Sequence, residues 1–320
     1  MSGATYLLTL QWGIGDILLS TAAVRALKQR EPDCAIFYQT LVKGKHRLQY
    51  DPPGGEPGSG GAPDEMLWHN PNIARIFDVT EPASVPGIFE HDLLYVRVGD
   101  PPLDRPIQAK MFDILGLPWD AGTRFDMDYY LQPHETEKAA AIVPPGPLYC
   151  AVSPRCGGWP GKMWNDEGWT GIIERLLAEG WTPVIITGDR LQGLPWTRGL
   201  NLSGSLDIRA SAAVLDRCQA MITLESTMSN LRFALRKPAV VVTCATSFGL
   251  KQIVWAPPEL CTEIRNSQWC EPCMWRGLHV AGKARVPPGN LADCPAGRSL
   301  RDVPPEEVWP ILVKHLEAAT

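Results

Sequence analysis

Residues 5–39 read TYLLTLQWGIGDILLSTAAVRALKQREPDCAIFYQ, and this stretch decides the fold class. The run from Thr5 to Leu10 is apolar, as a parallel strand buried on both faces requires. It breaks at Gly13-Ile14-Gly15-Asp16. From about Ile17 to Arg30 apolar side chains return at helical spacing, at Leu18, Leu19, Ala22, Ala23, Ala26 and Leu27. A second strand begins at Ala35 and runs to Gln39. Strand, glycine turn, helix, strand is the opening unit of a doubly wound α/β domain.

Outward from there the rhythm continues. Residues 51–63 (DPPGGEPGSGGAP) supply no core and read as a surface loop. Short strands are predicted near Ile76–Val79 and Leu93–Val98, with helices over Ile107–Gly116 and from Pro133 to about Glu137. Val143-Pro144-Pro145-Gly146-Pro147 reads as a linker, dividing the chain into domains at 1–145 and 146–320. The second half then restarts. Strands are predicted at Leu148–Val152, Pro183–Thr187, Ala220–Leu224 and Ala239–Thr243, and helices at Glu167–Glu179, Ser211–Cys218 and Ser229–Leu235. Two successive βα domains leave a cleft between them, and ligands of open α/β sheets bind beyond the carboxyl ends of the strands.

Three turns carry residues suited to chemistry. After the first strand, Gly13 and Gly15 allow close backbone approach, but Leu18 stands where a dinucleotide fingerprint needs its third glycine, which argues against an NAD site. Asp16 either caps the following helix or, kept ionised by the helix N-terminus, faces the cleft as a general base. The second turn, Val152 to Trp164, offers Ser153, Gly157, Gly158, Gly161 and Lys162 as a phosphate cradle; an ordinary Gly/Pro loop with a surface lysine is the alternative. In the third, Glu225 ends a strand and Ser226, Thr227 and Ser229 open a helix. Such hydroxyls hold phosphate, or simply cap the helix.

Taken together and in this order, these segments resemble the heptosyltransferases of glycosyltransferase family 9. Gly15-Asp16-Ile17-Leu18-Leu19-Ser20-Thr21 is similar to their N-terminal motif, and Ser153 to Trp164 to their donor motif. Glu225 to Leu231 stands where they carry Asp-Ser/Thr-Gly-x-x-His. Ala234-Leu235-Arg236-Lys237-Pro238-Ala239-Val240 resembles their Ala-Leu-Gly-Lys-Pro-Val. His69-Asn70-Pro71-Asn72-Ile73 and Ile114-Leu115-Gly116-Leu117 are smaller echoes. The resemblance implies a GT-B fold, two Rossmann-like doubly wound domains facing each other across a cleft. It implies inverting, metal-independent sugar transfer from ADP-heptose or another NDP-sugar to an acceptor glycan, protein or other hydroxyl-bearing molecule. Asp16 would be the base, and Gly15, Ser153, Gly158, Lys162, Asp189, Glu225, Ser226 and Thr227 would contact the donor. Glu225, Thr227 and Asn230 depart from the third motif, so the donor need not be ADP-heptose. A nucleotide-sugar epimerase and a non-catalytic nucleotide-sugar-binding protein are the alternatives on the same fold.

Of the nine cysteines, Cys156 lies in the second turn and the other eight form two groups. Cys34, Cys150, Cys218 and Cys244 sit singly in apolar surroundings and read as packing residues. Cys261, Cys270, Cys273 and Cys294 crowd one stretch, with metal-ligand spacing at Cys270 and Cys273. Some relatives in the family carry a four-cysteine iron site, so the resemblance implies a structural iron or zinc here; free thiols in a packed loop are the alternative. No cofactor is expected for catalysis.

The formal net charge is −5, with 12 basic and 19 acidic residues in 1–145 and 18 and 16 in 146–320. Neither half offers the bulk basic face that nucleic acid demands, and the small cluster Lys43, Lys45, His46, Arg47 reads as a solvated loop. No apolar run approaches the roughly 20 residues that span a bilayer. The expectation is a cytoplasmic protein, with peripheral attachment to the inner face of the membrane left open.

Overall fold

The computed structural model describes residues 3–11, 13–46, 61–82, 87–94, 105–156, 163–192, 198–243, 254–265 and 303–319. Among these, two parallel sheets are built. The first contains β1 (Thr5–Thr9), β2 (Ala35–Thr40), β3 (Arg75–Asp78) and β4 (Ile88–Asp92), in the order β3-β2-β1-β4. The second contains β5 (Tyr149–Ser153), β6 (Thr182–Ile185), β7 (Leu200–Asn201), β8 (Ala220–Leu224), β9 (Ala239–Thr243) and β10 (Cys261–Arg265), in the order β10-β9-β8-β5-β6-β7. In each sheet the chain starts in the middle, builds one side, then crosses to the other. The reversal falls between β1 and β4 and between β5 and β8, where open α/β sheets bind their ligands.

The helices are α1 (Ile14–Arg30), α2 (Ile107–Ile114), α3 (Pro133–Ile142), α4 (Asp166–Ala178), α5 (Ile208–Arg217), α6 (Thr227–Ala234) and α7 (Pro305–Glu317). β5, β8 and β9 are buried along their whole length, which explains their predominantly apolar composition. Their side chains divide by parity between two cores. Ala151, Met221 and Val241 face a core shared with the first sheet, whereas Val152, Ile222 and Val242 face one closed by α4 and α7. The shared core runs without interruption from Leu8 of β1 to Val241 of β9. α1 lies within it, against both α2 and α6, which accounts for its buried side chains on more than one face.

Several boundaries differ from the sequence expectation. α1 begins at Ile14, three residues early, because the Gly13 carbonyl accepts from Asp16 N and Ile17 N at 2.8 and 3.2 Å. Ahead of the strand expected at Leu93–Val98 the structure has β4, which ends at Asp92, and Leu93 and Leu94 are not in a strand. The β4 run Ile88-Phe89-Glu90-His91-Asp92 carries no apolar alternation because among the described residues it pairs with β1 alone and is largely exposed, with Phe89 56% accessible. Residues 95–98 of that expectation lie outside the described residues. α3 runs five residues beyond Glu137, to Ile142, where its Ala-rich end packs on α5. β7 and β10 were not anticipated: the first has two residues, and the second, beginning at Cys261, is masked in the sequence by charged Glu263 and Arg265.

Candidate active site at two converging helix N-termini

Because both sheets are parallel, the turns after β1, β5, β6 and β8 all leave from carboxyl-terminal strand ends. The turn after β1 leads into α1 and the turn after β8 into α6. The two helices meet at their N-termini: a methyl group placed on Gly15 would lie 3.2 Å from Thr227 Oγ1 and 3.4 Å from Asn230 Nδ2. Glycine at 15 therefore lets the first helix approach the second this closely. The geometry brings Gly15 and Asp16 of the first sheet together with Ser226 and Thr227 of the second. Each helix N-terminus carries about half a positive charge, so two of them make a favourable setting for an anion.

Asp16 does not occupy the N-cap. Gly13 does, and it provides no side-chain cap; Asp16 is the third helical residue. Its carboxylate reaches back along the turn, with Oδ2 3.3 Å from where a Gly13 methyl would stand. It is half-buried and lies close to Tyr38, whose hydroxyl pairs with Ser20 Oγ at 2.7 Å. Burial holds the Tyr38 phenol far above its usual range, and the neighbouring Asp16 charge adds to that effect. Tyr38 and Ser20 thus present a neutral hydroxyl pair beneath the carboxylate.

On the other side Ser226 is the N-cap of α6. Its hydroxyl accepts from Met228 N at 3.3 Å, and its own amide donates to Ser229 Oγ at 3.0 Å. The capping alternative considered for this serine is therefore observed, and it leaves the Ser226 hydroxyl proton to donate elsewhere. Glu225 is buried at the end of β8. Asn230, one turn further on, is 3% exposed, and its Oδ1 is buried without a hydrogen-bond partner among the described residues.

Ser153 closes β5 beside Thr223 of β8 and is fully buried, its Oγ also without a partner among the described residues. Gly158 and Lys162 lie outside the described residues, but both flanks of their loop are pinned. Cys156 is buried on one side; on the other, Trp164 is buried against Trp169 and donates from Nε1 to Val303 O at 2.9 Å. Asp189 follows β6 in an exposed bend, where Thr187 Oγ1 donates to its carbonyl at 2.5 Å. It is not drawn into the α1–α6 junction.

The basic cluster at 43–47 is not an open cationic surface among its described members. Lys43 pairs with Glu65 at 2.7 Å and with Asp207 at 3.7 Å, Lys45 pairs with Glu81, and His46 meets Asp78 at 2.7 Å. Sequence reasoning missed a second ionic group beside α1, built from Arg25, Arg124, Asp126, Asp128 and Arg236. The only sequence signal was the i, i+2 spacing of Asp126 and Asp128, which puts both carboxylates on one side of an extended segment.

Of the proposed metal ligands, Cys270, Cys273 and Cys294 lie outside the described residues. Cys261 opens β10 opposite Ala239, at the sheet end away from the turns described above, and burial pushes its thiol up. Among the described residues no group of three or more His, Cys, Asp or Glu side chains is placed to hold a metal, and no helix is long and apolar enough to cross a membrane.

Comparison with known proteins places this arrangement. No protein-family model matches the sequence, and no curated protein matches it either. Solved structures do. A glycosyl transferase family 9 protein from Veillonella parvula superposes with a TM-score of 0.70 over 99% of both chains at 13% identity. The iron-containing dodecameric glycosyltransferase TibC of enterotoxigenic Escherichia coli gives 0.71 over 100% of this chain and 77% of its own, at 17% identity; a second TibC structure holds ADP-D-β-D-heptose. The E. coli ADP-heptose lipopolysaccharide heptosyltransferase II gives 0.61 over 98% and 99%, at 13% identity. The chain has their fold, the GT-B arrangement of two Rossmann-like units.

Proposed function

We propose that this protein is an inverting glycosyltransferase that moves a sugar, heptose or a close relative, from a nucleotide-sugar donor to an acceptor hydroxyl. The observation that carries the reading is the meeting of the two helix N-termini, with Gly15 3.2 Å (as an added methyl) from Thr227 Oγ1. It joins a carboxylate from one sheet to a hydroxyl-bearing, electropositive turn from the other, on a fold whose solved relatives include one that holds ADP-heptose.

In this reading Asp16 takes the proton from the acceptor hydroxyl as its oxygen attacks the anomeric carbon. The nucleotide diphosphate leaves from the opposite face, which inverts the configuration. Its developing charge is met by the N-terminus of α6, by the Ser226 and Thr227 hydroxyls, and by Lys162 from the loop after β5. Ser153, Gly158 and Glu225 complete the donor wall, and Asp189 sits further out, toward the ribose. Base catalysis and leaving-group stabilisation supply about 10²–10⁴-fold each. The domain boundary belongs near residues 143–147, and no step uses a metal. The cysteines at 261, 270, 273 and 294 hold one structural iron or zinc, tested by about one equivalent in elemental analysis and its loss in Cys270→Ser.

The functional test is a panel of ADP- and UDP-sugars. A donor present at 100 times its Kd raises stability by about 2.7 kcal/mol, and slow release of its nucleotide identifies a transferase. Isomerised sugar identifies an epimerase instead, and binding without turnover a non-catalytic protein.

A further inference from the structure

α1 and α6 meet at their N-termini and pack in the shared core, and a further set of ties between them lies along the chain from that junction. The extended segment from Arg124 to Asp128 buries Phe125 and Met127 in the shared core. On one side it is tied to α1: Asp128 N donates to Thr21 Oγ1 at 2.8 Å, Arg25 Nη1 reaches Asp128 Oδ1 at 2.5 Å, and Arg25 Nη2 donates to the Asp126 carbonyl at 2.7 Å. On the other side it is tied to the turn that follows α6, where Arg236 Nη1 meets Asp126 Oδ1 at 2.7 Å and Nη2 lies 3.7 Å from Asp128 Oδ1. Arg124 bonds Asp126 at 2.9 Å and reaches on to Glu259, ahead of β10, at 2.5 Å.

Two features set this group apart from an ordinary surface network, whose pairs contribute little. The Asp126 and Asp128 side chains are only 13% and 11% exposed, although Arg236 and Arg25, which reach them, are 50% and 25% exposed. And Arg236 sits at φ 59°, a left-handed setting that glycine takes freely and L side chains rarely adopt. A residue whose only task was to turn the chain from α6 into β9 would do better as glycine there.

We propose that Arg236, Asp126, Asp128 and Arg25 form a clasp of positioning residues that locks α6 to α1 and so sets the spacing between the Asp16 carboxylate and the Ser226–Thr227 turn. In this proposal the clasp acts by positioning and not by contact with substrate. Its consequence for turnover rests on the transferase reading above; its mechanical role does not. Reaction rates fall steeply when reacting groups are misplaced by as little as an ångström, so loosening the clasp lowers kcat and leaves donor binding, made by α6 and its own sheet, in place.

Arg236→Gly separates this role from a merely local one, because it removes the ion pairs while relieving the backbone. Melting temperature should hold or rise, kcat should fall roughly tenfold or more, and donor KM should stay within about twofold. Arg25→Met, on the other side of the clasp, should reproduce the loss, and the double variant should be little worse than either single one. Hydrogen exchange supplies a readout independent of turnover: amides of Thr21–Arg25, in α1, should exchange faster in Arg236→Gly. Native exchange there, or native kcat in an enzyme that turns over, overturns the clasp. If the native protein releases no nucleotide from any donor, the transferase reading fails, and exchange alone decides the clasp.

Discussion

The two helices that meet across the cleft begin in different ways. α6 opens behind Ser226, with its first amides bonded by serine hydroxyls of its own turn. α1 opens behind Gly13, with no side-chain cap. The α6 turn is thus built locally, from residues within four positions of one another. The α1 turn is fixed from outside, by burial of Ile14, Ile17 and Leu18 and by the approach to Thr227. A locally braced turn suits the part of a site that must hold a highly charged donor in one place. A turn set by its neighbours leaves its polar side chain, Asp16, for chemistry.

That contrast predicts opposite kinetic signatures. The largest effect is expected for Asp16→Asn, which keeps the side-chain shape and removes the base: turnover should drop by at least about 10²-fold while calorimetric donor affinity stays within about twofold. Near-native turnover would end the assignment of this carboxylate.

Lys162→Ala should do the reverse. Loss of a charge-assisted hydrogen bond should weaken the donor by about 1.5–3 kcal/mol, with turnover at saturating donor little changed. Unaltered affinity would return Lys162 to the protein surface.

Ser226→Ala sharpens the comparison at α6 itself. Removal of the cap should destabilise the fold by about 0.5–2 kcal/mol, read as a lower midpoint in urea. It should also weaken the donor modestly, since the same hydroxyl has a proton to give. A stability loss with native donor affinity would make Ser226 a cap and nothing more.

The smallest effect concerns acid. Burial works to raise the Asp78 carboxyl, but hydrogen bonds from Thr80, His46 and Val42 prevail and hold it well below the usual range. A depressed carboxylate stabilises the fold above its unfolded pKa of about 3.9, and that contribution disappears as pH falls further. Asp128 has the opposite sign: burial outweighs Arg25 and Arg236 and raises its carboxyl, so acidification through that range favours the native state. Asp78→Asn should therefore flatten the loss of stability between about pH 4 and 2, and Asp128→Asn should not. A matching response in urea titrations would show that the two carboxylates are held alike.

Much of the fold is legible in the sequence because its signals are short-range. The apolar runs of β1, β5, β8 and β9 and the periodicity of α1 and α4 follow from burial on one or two faces, which any window of residues displays. The Ser226-to-Ser229 cap is legible for the same reason. β4, β7 and β10 escape because a border strand or a two-residue strand is chosen by its partner's unpaired backbone and not by its own side chains. The sequence by itself determined the βα order, the glycine turn before Asp16 and the hydroxyl turn after Glu225. Only the tertiary structure decided that these turns, more than 200 residues apart, meet at Gly15, because their approach depends on the shared core between the sheets. It also decided that Arg236 would reach from a left-handed turn to Asp126 and Asp128. A pairing between segments so distant in the chain leaves no periodicity in either one; it exists only once both helices are packed.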